Sequence, residues 1–497
     1  MNILYHSTRD KENICTASQA ILKGIAEDGG LYVPEQIPRL NKTLEELSGL
    51  SYQEVAYEVL RLYLTDFTEA EIKDCIAKAY DDKFDTELIA PLKEVGQAHY
   101  LELFHGATIA FKDMALSILP HLMITSARKN NVENEIVILT ATSGDTGKAA
   151  LAGFADVTGT KIIVFYPKNG VSAIQERQMV TQKGDNTYVI GIHGNFDDTQ
   201  TGVKEIFADT ELTKQMAQAG YQFSSANSIN IGRLLPQIVY YIYAYGQLCK
   251  AGKAALGQDI NVVVPTGNFG NILAAYYAKL MGLPIAKLIC ASNENKVLYD
   301  FFGTGIYDKN REFVLTQSPS MDILISSNLE RLIYLAAEGD DKQSRELMSE
   351  LGRQGKYTIS AGMREHLQDF YGNFASEAET GEVINKLYRE TGYVIDTHTA
   401  VAACVYDKYR KETADERPAV IVSTASPFKF AGSVMKALAE YEAGMSDFEL
   451  VDKLSGLAGV TVPKAIEEIR FAAILHDQVY DKSEMKQAVQ DILKLNK

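Results

Sequence analysis

Lys112 is the residue of this sequence best placed to act as a nucleophile. It lies between Phe111 and Asp113, where a polar Gly-Ala-Thr turn gives way to an apolar-periodic stretch that predicts a helix. The positive end of a helix dipole and apolar neighbours both favour the neutral amine. A neutral lysine amine is the species that forms a Schiff base with an aldehyde. Taken alone, the pattern also fits a solvated lysine on an amphipathic helix.

The loop from Gly267 to Asn271 has the composition of an anion-binding turn. It joins a predicted strand at 260–265 to a predicted helix. Its glycines let the backbone approach a ligand, and successive N–H groups at a helix start attract an anion. Because it lacks both the Walker ending and the GxGxxG spacing, the phosphate of a resident cofactor suits it better than a nucleotide. A plain strand-to-helix turn is the alternative.

Two further strand-to-helix loops are rich in hydroxyl groups. Residues 142–147 (TSGDTG) place hydroxyl and N–H groups at a helix start, which suits a carboxylate or phosphate, or simply caps the helix. Residues 423–427 (STASP) offer a hydroxyl that could bond a ring nitrogen without protonating it, or cap the next helix.

The segment 227–233 (NSINIGR) places Ser228 and Arg233 near the start of a long predicted helix. Arginine is suited to bidentate binding of a phosphate or carboxylate. A single arginine usually forms a surface salt bridge. Ser228 and Arg233 would therefore form a binding site only if the fold places them next to the other loops.

Alternating strands and helices must position these residues. Such alternation predicts βαβ units, hence a parallel sheet covered by helices on both faces, with ligands at the carboxyl ends of the strands. Buried strands are predicted at 135–141, 161–167, 187–192, 260–265, 285–292 and 419–423. We divide the chain into a mainly helical N-terminal domain (1–95), an α/β core (96–327), a helix-rich, strandless insertion (328–392), and a return to the core with a helical tail (393–497).

Composition and charge exclude several classes of protein. With 497 residues the chain is too long for one core, and 46% apolar with 23% charged residues is typical of a globular protein. A net charge of −16 argues against nucleic acid or an anionic membrane as the main partner. The five separated cysteines and eight histidines contain no metal-ligand or disulfide spacing. With no signal or membrane segment, we expect a cytoplasmic protein without a metal.

Three features together indicate pyridoxal 5′-phosphate (PLP): a candidate Schiff-base lysine, a phosphate-binding loop that uses no metal, and a hydroxyl group at the end of a strand. In detail, the chain resembles the threonine synthase family in its longer form, from about Tyr5 to about Phe430. The motifs that carry the resemblance are HGATIAFKDMAL, TSGDTG, NSINIGRLLPQ, PTGNFGN and SPSMDILISSNLERL, and YHSTRD…AEDGGLYVPE resembles that family's N-terminal domain. The resemblance implies a fold-type II PLP enzyme with parallel twisted sheets and helices on both faces.

The resemblance also implies a role for each candidate residue. Lys112 would hold PLP as a Schiff base and then act as the proton-transferring base, and Thr424 would face the ring nitrogen. Asp145 occupies the place where shorter relatives carry an asparagine beside the cofactor 3′-oxygen, so it is rotated away, protonated or holding the loop. The cofactor phosphate would be bound by Gly267, Asn268, Phe269, Gly270 and Asn271. The substrate carboxylate and phosphate would be bound by Ser143, Thr146, Ser228 and Arg233.

The implied reaction converts O-phospho-L-homoserine and water into L-threonine and phosphate by γ-elimination and β-addition. The alternatives are a PLP-dependent phospho-lyase and a serine/threonine dehydratase-like lyase. The dehydratase would act on an unphosphorylated substrate and would not need the phosphate-binding residues around Ser228 and Arg233. A non-catalytic scaffold, against which Lys112 argues, and a nucleotide-binding protein are further alternatives. We expect a monomer or homodimer with a small-molecule substrate. The sequence leaves open allosteric control, the role of Asp113 and the role of 328–392.

Overall fold

The fold is described from a computed structural model that covers residues 2–142, 144–439, 441 and 444–495. Its strands are β1 (Tyr5–Ser7), β2 (Asp10–Cys15), β3 (Tyr32–Pro34), β4 (Leu92–Val95), β5 (Ala98–Glu102), β6 (Glu135–Ala141), β7 (Thr160–Pro167), β8 (Thr187–His193), β9 (Tyr221–Ser224), β10 (Ile260–Pro265), β11 (Ile285–Ser292), β12 (Ile306–Asp308), β13 (Lys356–Thr358), β14 (Phe370–Phe374), β15 (Ala419–Ser423) and β16 (Val479–Asp481).

The helices before residue 300 are α1 (Ala17–Lys23), α2 (Leu44–Ser48), α3 (Tyr52–Tyr63), α4 (Glu69–Ala79), α5 (Asp113–Leu116), α6 (Leu119–Lys129), α7 (Asp145–Phe154), α8 (Ala173–Val180), α9 (Phe196–Ala208), α10 (Thr210–Gln218), α11 (Ile231–Lys250), α12 (Gly270–Met281) and α13 (Val297–Thr304). The later helices are α14 (Leu329–Ala336), α15 (Asp341–Gln354), α16 (Ala361–Glu365), α17 (Glu377–Thr391), α18 (Thr397–Thr413), α19 (Ala431–Ala437), α20 (Asp447–Ala458), α21 (Lys464–Arg470) and α22 (Met485–Leu493).

The core strands divide between two sheets. Within the described residues, the first sheet has the order β16-β8-β7-β6-β9, and all of its neighbouring pairs are parallel. The second has the order β14-β11-β10-β15-β5-β4, in which the edge pair of β4 with β5 is antiparallel and the other pairs are parallel. This arrangement confirms the predicted α/β fold with parallel sheets.

Strand β10 shows why these sequences form central strands. Every one of its residues is buried, and three consecutive valines suit the pleated backbone of a parallel strand. Val262 and Val264 enter the hydrophobic core that contains α11 and α12, whereas Val263 enters the core that contains α18. Helices therefore cover both faces of the second sheet.

Helix α11 runs through the first of these cores. Its residues are buried from Ile231 to Gly246, as expected for the apolar-aromatic run that the sequence places there. Tyr52 of the N-terminal region packs edge-on against Tyr243 of α11, with ring centroids 5.3 Å apart. In the part of the chain that the structure describes, no helix has the length and apolar content needed to span a membrane.

The N-terminal region contains both helices and a small sheet. Strands β2, β1 and β3 pair antiparallel, and α1 to α4 each begin at a serine or threonine that forms a capping box. Three helices form between residues 43 and 81, because Gly49 ends α2 before Ser51 caps α3. The small sheet was not part of the predicted helical region.

The helix after Lys112 is shorter than predicted. The periodicity of this stretch predicts one continuous helix, but α5 ends at Leu116 and α6 begins at Leu119. Pro120 has no N–H group to donate to the carbonyl of Leu116, so a continuous helix would lose that bond and clash with the proline ring. Lys112 is therefore the residue before a four-residue helix, and a helix dipole contributes less to its chemistry than the sequence suggests.

The prediction that residues 328–392 contain no strand is wrong. Strand β13 pairs antiparallel with β12, and β14 pairs parallel with β11 at the edge of the second sheet. The sequence signal of β14 is weak because the strand is short and its middle residue, Gly372, packs closely against Phe302. The segment thus supplies an edge strand as well as helices.

The loops that carry the candidate site residues follow the carboxyl ends of parallel strands. The loops after β6 and β9 belong to the first sheet, and the loops after β10 and β15 belong to the second. The two sheets meet through these loops, because Asp145 at the start of α7 lies 3.3 Å from Lys429, which follows β15. The fold therefore brings residues from distant parts of the sequence to one place.

Candidate active site

The side-chain amine of Lys112 lies in a buried polar cluster. Its Nζ donates a hydrogen bond to Ser320 Oγ (3.1 Å) and lies 3.6 Å from Asp145 Oδ2, while the side chain as a whole is 10% exposed. Burial lowers the pKa of Lys112; Asp145 opposes this shift, and the nearby cations Lys429 and Arg233 reinforce it. The environment thus favours the neutral amine, mainly through desolvation.

Asp145 stands between two lysines. Its Oδ2 accepts a hydrogen bond from Ser320 Oγ (2.8 Å), and its Oδ1 accepts one from Gln175 Nε2 (2.9 Å) and lies 3.3 Å from Lys429 Nζ. Although burial favours the protonated acid, the charges of Lys429 and Lys112 hold the pKa of Asp145 well below its usual range. The protonated alternative does not fit this environment. The carboxylate faces Lys112, and its bond to Gln175 ties α7 to α8.

Lys429 was not identified from the sequence. Its side chain is fully buried, and its Nζ also donates to Thr108 O (3.0 Å) and to Gln178 Oε1 (3.2 Å). A lysine buried to this extent requires a negative partner, which Asp145 supplies. The available signal was its position in Ser-Pro-Phe-Lys, directly after the hydroxyl-rich loop that follows β15.

Ser320 was also missed, although its motif was noticed. It lies in the 3₁₀ turn Pro319–Met321, and its backbone N–H donates to Nε2 of His398 (3.2 Å). The other ring nitrogen, Nδ1, donates to Asp396 Oδ1 (2.8 Å), so the two contacts fix the tautomer of His398. Because Nε2 faces the N–H and not the hydroxyl of Ser320, the three residues do not form a hydrolase triad.

The loop Gly267 to Asn271 has the geometry of an anion cradle. A Cβ atom on Gly267 would lie 2.7 Å from Ser320 O, so only glycine fits there. Phe269 precedes α12 with a φ of 65°, in the left-handed region. No described residue accepts a hydrogen bond from the backbone N–H groups of 267–271. These donors are therefore open to a ligand.

Asn271 adds a side-chain donor to this loop. Its Oδ1 accepts hydrogen bonds from Tyr240 (2.6 Å) and Tyr241, which fixes the amide orientation. Its Nδ2 is buried and has no hydrogen-bond partner among the described residues. A buried donor without an acceptor is costly unless a ligand or water satisfies it.

The loop after β15 lies alongside the residues that precede Lys112. The N–H of Phe111 donates to Thr424 O (2.8 Å), and Ala110 forms an antiparallel bridge with Ala425. Thr424 is buried, and none of the described residues is hydrogen-bonded to its hydroxyl. The structure thus brings Thr424 next to the Lys112 stretch with an unused hydroxyl group. Ser426, in contrast, caps the following turn by accepting from the N–H of Phe428.

Arg233 is not the surface arginine that its residue type would suggest. It is 3% exposed, and its Nη1 donates to Ala226 O (3.1 Å). Its Nε has no hydrogen-bond partner within the described part of the chain, and burial lowers its pKa to about 10. A buried guanidinium with an unsatisfied donor is suited to an anionic ligand.

Two other predicted substrate residues lie in segments that follow the carboxyl ends of strands. Ser228 and Thr146 are half-buried, in the loop before α11 and in the first turn of α7. Ser143 lies outside the described residues. Thr142, which precedes it, accepts hydrogen bonds from the N–H groups of Gly144 (3.0 Å) and Gly147 (2.9 Å). Part of this loop therefore serves as the helix cap that the sequence allowed.

Asp113 holds the turn that precedes Lys112. Its carboxyl group accepts hydrogen bonds from the N–H (2.8 Å) and hydroxyl (2.6 Å) of Thr108. Burial raises the pKa of Asp113, while these two bonds oppose the shift. A Cβ on Gly106 would lie 2.6 Å from the Asp113 side chain, so the turn closes tightly on it. The role left open by the sequence is thus to fix the turn of residues 106–108.

Comparisons with known proteins decide the family. Family models match residues 4–80 ("Threonine synthase N terminus"), 88–425 ("Pyridoxal-phosphate dependent enzyme") and 399–475 ("Threonine synthase, C-terminal"). The threonine synthase of Saccharomyces cerevisiae is 37% identical over 472 residues, which cover 88% of this chain and 90% of that protein. The chain belongs to the threonine synthase family. The predicted resemblance and the predicted class of PLP-dependent enzyme are confirmed.

Two more relatives agree with this membership in the threonine synthase family. Human "Threonine synthase-like 1" is 43% identical over 434 residues, which are 85% of this chain, and the chain spans 58% of the length of that relative. The PLP-bound threonine synthase from Brucella melitensis has a solved structure with a TM-score of 0.85, 34% identity and 100% coverage of both chains. The fold-type II architecture is thereby confirmed. The C-terminal match reaches residue 475, beyond the predicted limit near Phe430.

Replacing Gly267 with alanine is expected to weaken PLP binding. The added methyl group would push the cradle away from Ser320 O, and overpacking of this kind costs about 1–3 kcal/mol. That cost corresponds to a roughly 5- to 150-fold weaker Kd for PLP, measured by absorbance titration. Gly352→Ala is the matched control, because a Cβ there meets open space on α15. Equal PLP affinity of the two variants would contradict the cradle assignment.

Proposed function

We propose that this chain is a threonine synthase that converts O-phospho-L-homoserine and water into L-threonine and phosphate with PLP as cofactor. The observation that carries the proposal is the buried amine of Lys112, which bonds Ser320 Oγ and whose surroundings favour the neutral form. Membership in the threonine synthase family supports the choice of reaction.

The residues present fit PLP. Lys112 would hold the cofactor covalently, the backbone of Gly267 to Asn271 and the free Nδ2 of Asn271 would bind its phosphate, and Thr424 would face its ring nitrogen. When bound, PLP supplies an electron sink for a carbanion at the substrate Cα. Because Thr424 is a hydroxyl and not a carboxylate, it can bond the ring nitrogen without giving it a positive charge.

Lys112 is assigned the proton transfers of the reaction. As a free amine it would remove the proton from the substrate Cα and later a proton from Cβ. Phosphate leaves from Cγ, protons are returned to Cγ, which becomes a methyl group, and to Cα, and the hydroxyl group of water adds at Cβ. The hydrogen bond from its Nζ to Ser320 Oγ holds one N–H and so orients the nitrogen. Desolvation lowers the pKa of the Lys112 amine and so favours the neutral form that acts as a base.

Arg233 is assigned the binding of the substrate phosphate or carboxylate, together with Ser228, Thr146 and Ser143. The unsatisfied Nε of Arg233 is the strongest support, since a buried guanidinium donor without an acceptor is costly in a site that never holds an anion. If this anion is the substrate phosphate, the site favours a phosphorylated substrate over that of a serine/threonine dehydratase. Asp145 is assigned a place beside the cofactor, with its charge compensated by Lys429.

The test is an assay of the purified protein with O-phospho-L-homoserine. Equal amounts of phosphate and L-threonine are expected. Formation of 2-oxobutyrate and phosphate instead would favour the phospho-lyase. A protein without a Schiff-base absorbance band and without turnover would be a non-catalytic scaffold, and a rise of the melting temperature with ATP or NAD would favour a nucleotide-binding protein.

Replacing Arg233 with methionine is expected to raise KM more than it lowers kcat. Hydrogen bonds from a charged group contribute about 1.5–3 kcal/mol, so kcat/KM should fall roughly 10- to 150-fold. Steady-state kinetics with O-phospho-L-homoserine measure this effect. Arg128→Met, at an exposed arginine of α6, is the control and should leave both constants unchanged. An unchanged KM in the Arg233 variant would contradict the assignment.

The remaining predictions stand as proposals. We propose the division into 1–95, 96–327, 328–392 and 393–497. The family matches at 4–80 and 88–425 place the first change of domain between residues 80 and 88, somewhat earlier than this division. We also propose a cytoplasmic monomer or homodimer that acts on a small molecule and not on nucleic acid or membranes. All five cysteines are free thiols, in keeping with a reducing compartment.

A further inference from the structure

We propose that Arg331 and Asn328 are positioning residues that set both anion-binding loops of the site and connect them to the N-terminal region. Asn328 precedes α14, and Arg331 lies in its first turn. The inference rests on the proposed function only for the identity of the anions, which are the cofactor phosphate at 267–271 and the substrate at 228–233.

Arg331 is fully buried, yet its hydrogen bonds go to neutral oxygen atoms. Its Nε donates to Tyr32 O of β3 (3.0 Å), its Nη2 donates to Ile229 O (2.6 Å), and its Nη1 donates to Asn328 Oδ1. One planar guanidinium therefore joins the N-terminal sheet, the substrate loop and the residue that contacts the cradle. A rigid fork can do this, whereas a lysine ammonium cannot hold three divergent acceptors in one plane.

Asn328 contacts both loops directly. Its backbone N–H donates to Asn268 O (3.0 Å), and its Nδ2 donates to Asn268 O (3.1 Å) and to Ser228 O (3.1 Å). The bond from Arg331 to Asn328 Oδ1 fixes the amide so that Nδ2 faces these carbonyls. Two carbonyl groups from loops some 40 residues apart in sequence are thus held by one side chain.

Holding these carbonyls directs the N–H groups of the same peptides. In a planar trans peptide the C=O and N–H groups point in opposite directions. Because Asn268 O points to Asn328, the N–H of Phe269 points the other way, and the same holds for Ser228 O and the N–H of Ile229. No described residue accepts from either N–H group. Asn328 therefore aims one donor of each loop toward an anion.

The left-handed backbone of Phe269 requires contacts that hold the preceding peptide group in place. A φ of 65° at a non-glycine residue is uncommon and persists only where surrounding contacts hold it. The contacts that hold it include the two bonds from Asn328 to Asn268 O, a bond from Ser326 Oγ to Gly267 O (2.7 Å), and the packing of the buried Phe269 ring against Phe302 and Phe370. Losing the Asn328 contact should let the peptide rotate and should remove a donor from the cradle.

The same helix offers a matched control. Arg9 of the N-terminal region forms two hydrogen bonds with Glu330 (Nε to Oε1, 2.8 Å; Nη2 to Oε2, 2.7 Å), so it also ties that region to α14. Among the described residues, the hydrogen bonds of Arg9 involve neither the cradle nor the substrate loop. Replacing Arg9 should therefore lower stability through the same interface without changing the anion-binding loops.

The test compares Arg331→Met, Arg331→Lys and Arg9→Met in the full-length holoenzyme. Arg331→Met should release PLP on dilution with an about tenfold or larger rise in Kd, and should raise the inhibition constant for inorganic phosphate by a similar factor. The KM for O-phospho-L-homoserine should rise with kcat changed by less than about threefold. Arg331→Lys should recover little, since the fork is lost. Arg9→Met should lower the melting temperature but leave PLP and phosphate affinity unchanged.

Equal losses of melting temperature in Arg331→Met and Arg9→Met with PLP and phosphate affinity unchanged in both would overturn the inference. If Arg331→Met does not fold, Asn328→Ala provides the same test, and unchanged PLP and phosphate affinity there would equally overturn it. PLP retention and phosphate inhibition do not depend on the product formed. A protein that makes 2-oxobutyrate and shows the expected losses would therefore refute the proposed function and support this inference.

Discussion

Lys112→Ala is expected to abolish threonine formation while leaving the fold intact. The variant removes the amine that we assign both to covalent attachment of PLP and to proton transfer. Loss of a general base alone lowers the rate about 10²- to 10⁴-fold, and loss of the covalent anchor adds to this. Because Lys429 remains as a partner of the Asp145 carboxylate when Lys112 is replaced, the substitution should not unfold the protein. Turnover, the Schiff-base absorbance band and the circular dichroism spectrum measure the three expectations.

Lys148 is the rival that this experiment must exclude. It is also buried, in the first turn of α7, and burial with the nearby charge of Lys429 lowers its pKa to about 8. Its Nζ donates to Gln182 Oε1, and none of the cradle or loop contacts described above involves it. Lys148→Met should keep the absorbance band. If the band is lost in Lys148→Met and kept in Lys112→Ala, the Schiff-base lysine has been misassigned.

The parts of the site that could be predicted are those encoded by local sequence. The Gly-rich turn at 267–271 and the hydroxyl-rich loops at 142–147 and 423–427 each follow a strand whose apolar run is easy to recognise. Parallel topology then places all of these loops at the carboxyl ends of the strands. The identity of Lys112 as a candidate followed from the same reasoning, although its protonation depends on burial and less on a helix dipole than expected.

The parts that could not be predicted depend on contacts between distant residues. Ser320 lies 208 positions from Lys112, and Lys429 lies 321 positions from the carbonyl of Thr108 that it binds. The position of Lys429 after a hydroxyl-rich loop is a weak signal, and no local feature shows that Lys429 is buried or that Ser320 faces Lys112. Only the fold shows that Lys429 is fully buried and that Ser320 bridges Lys112 to Asp145. The edge strand β14 was missed for a related reason, because its strand conformation depends on pairing with β11, which is distant in sequence.

Lys429 compensates the negative charge of Asp145, which we propose to lie beside the cofactor. An isolated Asp145 would repel a phenolate, but its Oδ1 lies 3.3 Å from the fully buried Lys429 Nζ and accepts a hydrogen bond from Gln175. The Asp145–Lys429 pair is close to neutral as a unit, so it can occupy a position where shorter relatives are expected to carry an amide. This interpretation predicts that the two residues are strongly coupled.

Replacing Lys429 with methionine alone is expected to lower the free energy of unfolding by about 3–5 kcal/mol, the usual cost of breaking a buried ion pair by removing one partner. Combining Lys429→Met with Asp145→Asn should recover most of that loss, because no uncompensated buried charge remains. Denaturant unfolding of the two single variants and the double variant measures the coupling. Additive effects of the two substitutions would show that the pair is not a unit.

The pH dependence of turnover provides an independent measurement on the same variants. Lys429 lowers the pKa of Lys112 and Asp145 raises it, so removing Lys429 should raise the pKa of the Lys112 amine. Because the neutral amine is the active base, the acid limb of the pH–rate profile should move to higher pH in Lys429→Met and to lower pH in Asp145→Asn. The double variant should lie between them. Ser320 bonds both Lys112 and Asp145, so Ser320→Ala should weaken the effect of Asp145→Asn on this limb if the hydroxyl couples the two groups.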